Sequence, residues 1–201
     1  MPSPEDRGAR TRDEIIRESR ALVAHGGLQA LTIGALERRL SYTRGAITHH
    51  FASKDAIVEA VLGSALAEID AATETSVLAG KSFEEKLEAV LRTKIEGFVN
   101  NPEATAVLLA FWGGIHADPR AAERNSLLFS RYRRQAESLI EFGKERGVVS
   151  MEIDGRAAAV LLVGVVVGVV SQELFTPGEV DVDAAVRSAA AVMASGLSPG
   201  V

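Results

Sequence analysis

Within eight residues the chain sets Tyr42, Thr43, Arg44, Gly45, Thr48 and His49, with Thr32 ten residues ahead of the group and Lys54 just beyond it. Hydroxyls, an imidazole and two cations are groups that meet phosphate oxygens, and Arg44 can also fork onto the O6 and N7 acceptors of guanine. If Thr43 opens a helix, the free backbone N–H groups of its first turn add an anion-seeking end. The chemistry available here is non-covalent recognition of nucleic acid.

Such groups need elements to hold them. Thr32 is an N-cap type, and Ile33, Leu36 and Leu40 follow at the spacing of one helical face. Ser41 and Tyr42 interrupt that pattern, Thr43 offers a second N-cap, and Ala46, Ile47 and Phe51 supply inward contacts for a helix of about two turns. Two helices this short, joined by a tight turn, read as a helix-turn-helix whose second member enters the major groove. A preceding helix is expected over 9–25, with Ile15, Ile16, Ser19, Leu22 and Val23 inward and Gly26-Gly27 stopping it. Residues 1–8 are expected to form a flexible arm, either bringing Arg7 or Arg10 to a minor groove or touching nothing.

This run resembles the TetR-type transcriptional regulators of bacteria over residues 9 to 62. The similarity lies in the Arg-rich first helix, Thr32 opening the second, Thr43-Arg44-Gly45-Ala46-Ile47 in the recognition helix, His50-Phe51, and Ser53-Lys54-Asp55 opening a fourth. Three positions depart from the family pattern: Ser41 stands where glycine is usual in the turn, Thr48 where an aromatic is usual, and Leu40 where a small residue is usual. The resemblance implies an all-α protein with an N-terminal three-helix helix-turn-helix domain and a C-terminal helical domain for ligand binding and dimerisation. It implies a sequence-specific regulator, in the first instance a homodimeric repressor released from a palindromic operator in double-stranded DNA by a small-molecule effector. The alternative is a helical ligand-binding or adaptor dimer that has lost DNA binding. The DNA-contacting set is then Thr32, Tyr42, Thr43, Arg44, Gly45, Thr48, His49 and Lys54. His50 is expected to pack under the turn.

Charge is divided in a way that fits. The 201 residues carry a formal charge of −5. Residues 1–54 hold nine Lys/Arg against six Asp/Glu, a local +3, and the remainder holds 13 against 21, a local −8. Screening confines phosphate attraction to about 10 Å at moderate salt, so a basic reader on an acidic body is workable. There is no cysteine, which excludes a disulfide framework and Cys-ligated zinc. The polar N-terminus MPSPEDRGARTRDE does not suggest a secretory signal, and a cytoplasmic protein without a membrane partner is expected.

The expected division is 1–8 arm, 9–53 reader, 54–197 body and 198–201 tail. In the body, helices are expected from Lys54 to about Ala79, ended by Gly80; from a Ser82/Glu85 capping box through Asn100; from Pro102 through His116; from Pro119 to about Arg146, ended by Gly147; and over 182–195. The stretch AAAVLLVGVVVGVV, 157–170, is too short for a membrane span of about 20 residues and reads as a helix capped by Asp154. Being apolar nearly all round, it must be covered on two sides. By the resemblance, one cover is a twin helix in a homodimer, through Leu161, Gly164, Val165, Gly168, Ala185, Ala189 and Val192. A purely intramolecular core is the other possibility.

Other chemistry finds little footing. Adjacent His49 and His50 point about 100° apart and chelate poorly, His116 with Asp118 is a two-residue coincidence, and no cofactor, metal or catalytic constellation is expected. By the resemblance an effector sits among the body helices, where Phe98, Phe111, Trp112, Phe129 and Tyr132 are the aromatic candidates to line it or simply to fill the core. The segment AFWGGIHADPR resembles the branch of the family that includes choline-responsive repressors, and a cationic ligand would be suited by those aromatics with Glu96 or Glu103.

Overall fold

The computed structural model describes residues 4–73, 82–113 and 119–199. Among these the chain is helical: α1 Pro4–Ala30, α2 Ile33–Leu40, α3 Arg44–His50, α4 Lys54–Thr73, α5 Phe83–Val99, α6 Pro102–Gly113, α7 Pro119–Glu145, α8 Gly155–Phe175 and α9 Val182–Leu197. The end of the long fourth helix, its Gly80 stop, and His116 with Asp118 lie outside the described residues.

By packing, the chain forms two compact units, residues 1–69 with 101–122, and residues 70–100 with 123–201. In the first, α1 packs against α2, α3 and α6 around Ile15, Val23, Leu31, Leu36, Ile47 and Phe51, each no more than 4% exposed. Ile57, Val61 and Ala65 of α4, and Val107, Leu108 and Phe111 of α6, are buried as well. The grouping of α6 with the reader helices is not visible in the 53/54 boundary drawn from sequence, because that boundary follows function and α6 is far along the chain.

Local chemistry sets most element ends. Thr32 Oγ1 accepts from the Ala35 amide at 3.1 Å and Thr43 Oγ1 from the Ala46 amide at 3.2 Å. Ser82 and Glu85 close the capping box, at 3.1 and 2.7 Å, and Asp154 caps α8 through the amides of Arg156 and Ala157. Gly27 leaves helical geometry (φ 70°, ψ 180°) and kinks α1 where the Gly26-Gly27 stop was expected.

Two expectations need correction. Residues 4–8 are not an extended arm: they are the first turns of α1, since Pro4 suits a helix start and Glu5 and Asp6 suit the positive end of the helix dipole. The apolar stretch 157–170 is also not a short helix. It runs on through Gln172 and Glu173 to Phe175, 21 residues, long and apolar enough by length and composition to cross a membrane.

The second unit is built on α5, against which α8 and α9 pack, with Leu87, Leu91, Ile95, Leu162, Val186 and Ala190 buried. α5 and α7 approach so closely at Gly143 that an added Cβ there would lie 2.5 Å from Val149 Cγ2 and 2.8 Å from Phe83 Cε2.

Candidate nucleic-acid interface

α3 is seven residues long and holds its place through one fully buried side chain, Ile47, and through Phe51 at its end. A helix this short is marginal alone, so its orientation is a property of its neighbours. The turn before it depends on Ser41, which adopts φ 55°, ψ 26°, the left-handed conformation the family meets with glycine. The left-handed geometry is therefore retained at the cost of a non-glycine residue.

Side chains of α1 brace this turn. The Tyr42 hydroxyl donates to Glu14 Oε2 at 2.6 Å, and that bond, favouring the neutral phenol, pushes the Tyr42 pKa up. Arg39 Nε donates to Glu18 Oε2 at 2.9 Å, and this bond, aided by Arg17, holds the Glu18 carboxyl below the ordinary carboxylate range against an opposing effect of burial. The Arg12 guanidinium lies 5.0 Å from the centre of the Phe51 ring. Glu14, Glu18 and Arg12 were not singled out in the sequence. The available signal was that Glu14 and Glu18 stand one turn apart on α1.

What remains open is the recognition face. Thr43, Arg44, Gly45, Thr48 and His49 are exposed, as are Thr32 and Lys54 at the borders of the motif. No ion pair engages Arg44 or Lys54 among the described residues. A Cβ on Gly45 would meet only Thr43 Oγ1, at 3.8 Å, so the fold itself does not demand glycine; its effect is to leave backbone uncovered at the helix start. Thr43 uses only its lone pairs in capping and keeps its hydroxyl proton for an outside acceptor. Thr48 differs, donating to the Arg44 and Gly45 carbonyls at 3.0 and 3.2 Å, so it faces outward with accepting capacity alone. Tyr42 is half-buried with its hydroxyl already spent on Glu14. His50 is half-buried beside Gly8, with its ring edge-on to His49 at 5.3 Å.

The N-terminal part, residues 15–61, matches the family model for bacterial regulatory proteins of the tetR family, and residues 83–198 match that for the BetI-type transcriptional repressor, C-terminal. The chain belongs to the TetR family. It is 26% identical over 109 residues to the HTH-type transcriptional regulator BetI of Burkholderia cenocepacia, a stretch covering 54% of this chain and 56% of that one. The match thus spans about half the length of the curated relative. Among solved structures, a TetR-family regulator from Cytophaga hutchinsonii aligns over all of both chains with TM-score 0.76 and 17% identity. The TetR-family regulator PfmR from Thermus thermophilus aligns over 92% of this chain and 99% of its own with TM-score 0.65 and 23% identity, and both likenesses are of fold.

The BetI-type match covers α5 to α9, where all the expected effector and dimer residues fall. The aromatic candidates are nevertheless split between the two units: Phe111 and Trp112 in the first, Phe98, Phe129 and Tyr132 in the second. Only Phe129 and Tyr132 are seen together, edge-on at 6.3 Å. The Tyr132 hydroxyl is buried without a hydrogen-bond partner, and burial, with Asp70 nearby, pushes its pKa up to about 12. Glu96 and Glu103, named as companions for a cationic ligand, are each taken by an arginine, Arg92 at 3.5 Å and Arg20 at 3.2 Å.

The expected dimer residues present an open surface. Leu161 and Val192 are 67% and 72% exposed, Val165, Ala185 and Ala189 are half-buried, and nothing in the chain comes within 4 Å of a Cβ placed on Gly164 or Gly168. The small-residue face of α8 is thus not used inside the subunit.

Proposed function

We propose that the chain is a homodimeric transcriptional repressor that reads a two-fold-symmetric operator with α3 and releases it when a small molecule occupies the α5–α9 body. One observation carries this reading: Arg44, at the start of a capped and buttressed two-turn helix, is exposed and committed to no partner among the described residues, while the arginine and tyrosine around it are tied down. A side chain left loose in the middle of a braced surface suits an outside acceptor. Two such helices would enter successive major grooves about 34 to 36 Å apart, held at that distance by pairing through α8 and α9.

The test is a fluorescence-anisotropy titration against duplexes selected from a random pool, at two salt concentrations. A two-fold-symmetric consensus bound tightly at both is expected. Weak, sequence-blind binding that disappears with salt overturns the proposal and favours a helical ligand-binding dimer, which the inward-turned hydroxyls of Thr48 and Tyr42 would suit.

A further inference from the structure

The reader helix α1 is tied to α4 and α6 by one guanidinium. Arg20, with 13% of its side chain exposed, contacts Glu68 Oε2 at 2.6 Å through Nη1 and Glu103 Oε1 at 3.2 Å through Nε, and Nη1 also donates to Ser64 Oγ at 3.2 Å. Ser64 and Glu68 stand one turn apart on α4, and Glu103 lies in the first turn of α6. These groups, with Asp13, Ile16 and Arg17 of α1, line a cleft of about 470 Å³ within the first unit.

The chain's own connectivity makes this grip consequential. The backbone passes between the two compact units inside α4 at 69/70, ahead of α6 at 100/101, and within α7 at 122/123. A change of state in the body therefore reaches the reader covalently through α4, α6 and the start of α7, and Arg20 holds α1 to two of those three. A rigid fork with five donors suits this task, since it serves two carboxylates and a hydroxyl at once where a lysine ammonium offers a single point charge.

We infer that Arg20, Glu68 and Glu103 form a latch that fixes the orientation of the reading helices relative to α4 and α6, so that Arg20 is a positioning residue for operator spacing without contacting DNA. The inference rests on the two-fold operator reading above. A dimer gains avidity only when both recognition helices fit their half-sites together, and a stiff reader makes that gain fall sharply when the half-sites are moved. Loosening the latch leaves each head able to read its half-site and widens the range of separations that both can meet.

The experiment uses the full chain and duplexes carrying the selected half-site once, or twice with spacers lengthened or shortened by about two base pairs. Wild type should prefer one spacer strongly. In Arg20→Gln and in Glu103→Gln the penalty for the altered spacers should fall about three- to tenfold, while affinity for the single half-site stays within about twofold. Glu103 is half exposed, so its substitution tests the latch even if Arg20→Gln folds poorly. An unchanged spacer profile in Glu103→Gln, or an equal loss on the single half-site, overturns the latch. A wild type without any spacer preference overturns the two-fold operator reading instead.

Discussion

Helices α3 and α8 both leave much of their surface open, and for opposite chemical reasons. α3 presents a hydroxyl, a guanidinium and uncovered backbone around one buried isoleucine, whereas α8 presents Val160, Leu161 and a strip of glycine and valine. Water tolerates the first surface at no cost, so α3 can wait for a ligand. An apolar patch in water is a standing penalty of about 25 cal/mol per Å², so α8 calls for permanent cover. The contrast teaches that the DNA-facing end is held by bracing from behind and the other by what must be added in front.

Breaking the α8 side should have the largest effect. Leu161→Asp sets a charge on the exposed apolar face, and sedimentation should show a monomer, with operator affinity lowered about 100-fold or more because avidity is lost. A dimer of unchanged operator affinity would remove α8 from the interface. On the α3 side, Arg44→Ala should cost about 1–3 kcal/mol of operator binding and relax preference at one base pair, measured by anisotropy on single-substituted duplexes. Lys54→Ala should weaken all duplexes alike and reduce the salt slope by about one unit, which a titration series in salt would show.

Smaller effects sharpen how α3 is braced. Ser41→Gly relieves the left-handed strain and should stabilise the fold by up to about 1 kcal/mol, offset in part by the added freedom of the unfolded chain. A lower melting temperature would mean that the serine side chain itself supports the turn. The Glu18 carboxyl is held below the ordinary carboxylate range by Arg39, so the stability it adds is complete above that range and is lost as the pH falls through its folded pKa. The melting difference between wild type and Glu18→Gln should accordingly be full at neutral pH and close in acid. A gap independent of pH would mean that the glutamate acts through packing.

The reader was largely legible because its signals are local. Thr32, Thr43, Ser82 and Asp154 cap helices a few residues away, and capping needs no distant partner. The left-handed turn at Ser41 was foreseeable as a departure from glycine, and it is kept. Residues 4–8 were misjudged because composition suggested mobility where proline and two acids in fact suit a helix start. The roles of Glu14, Glu18 and Arg20 were illegible: their partners stand 28, 21 and as many as 83 residues away, and spacing along one helix does not name a residue on another.

The sequence by itself therefore determined the helices, their caps, the chemistry of the recognition face and the apolar character of α8, all of which follow from periodicity and near neighbours. Only the tertiary structure decided which hydroxyls and cations on that face are already spent, that α6 packs with the reader helices, and that Gly164 and Gly168 are left uncovered within the subunit. The physical reason is that hydrogen bonds and ion pairs between helices depend on side-chain direction in three dimensions, which residue types and spacing constrain for one helix at a time.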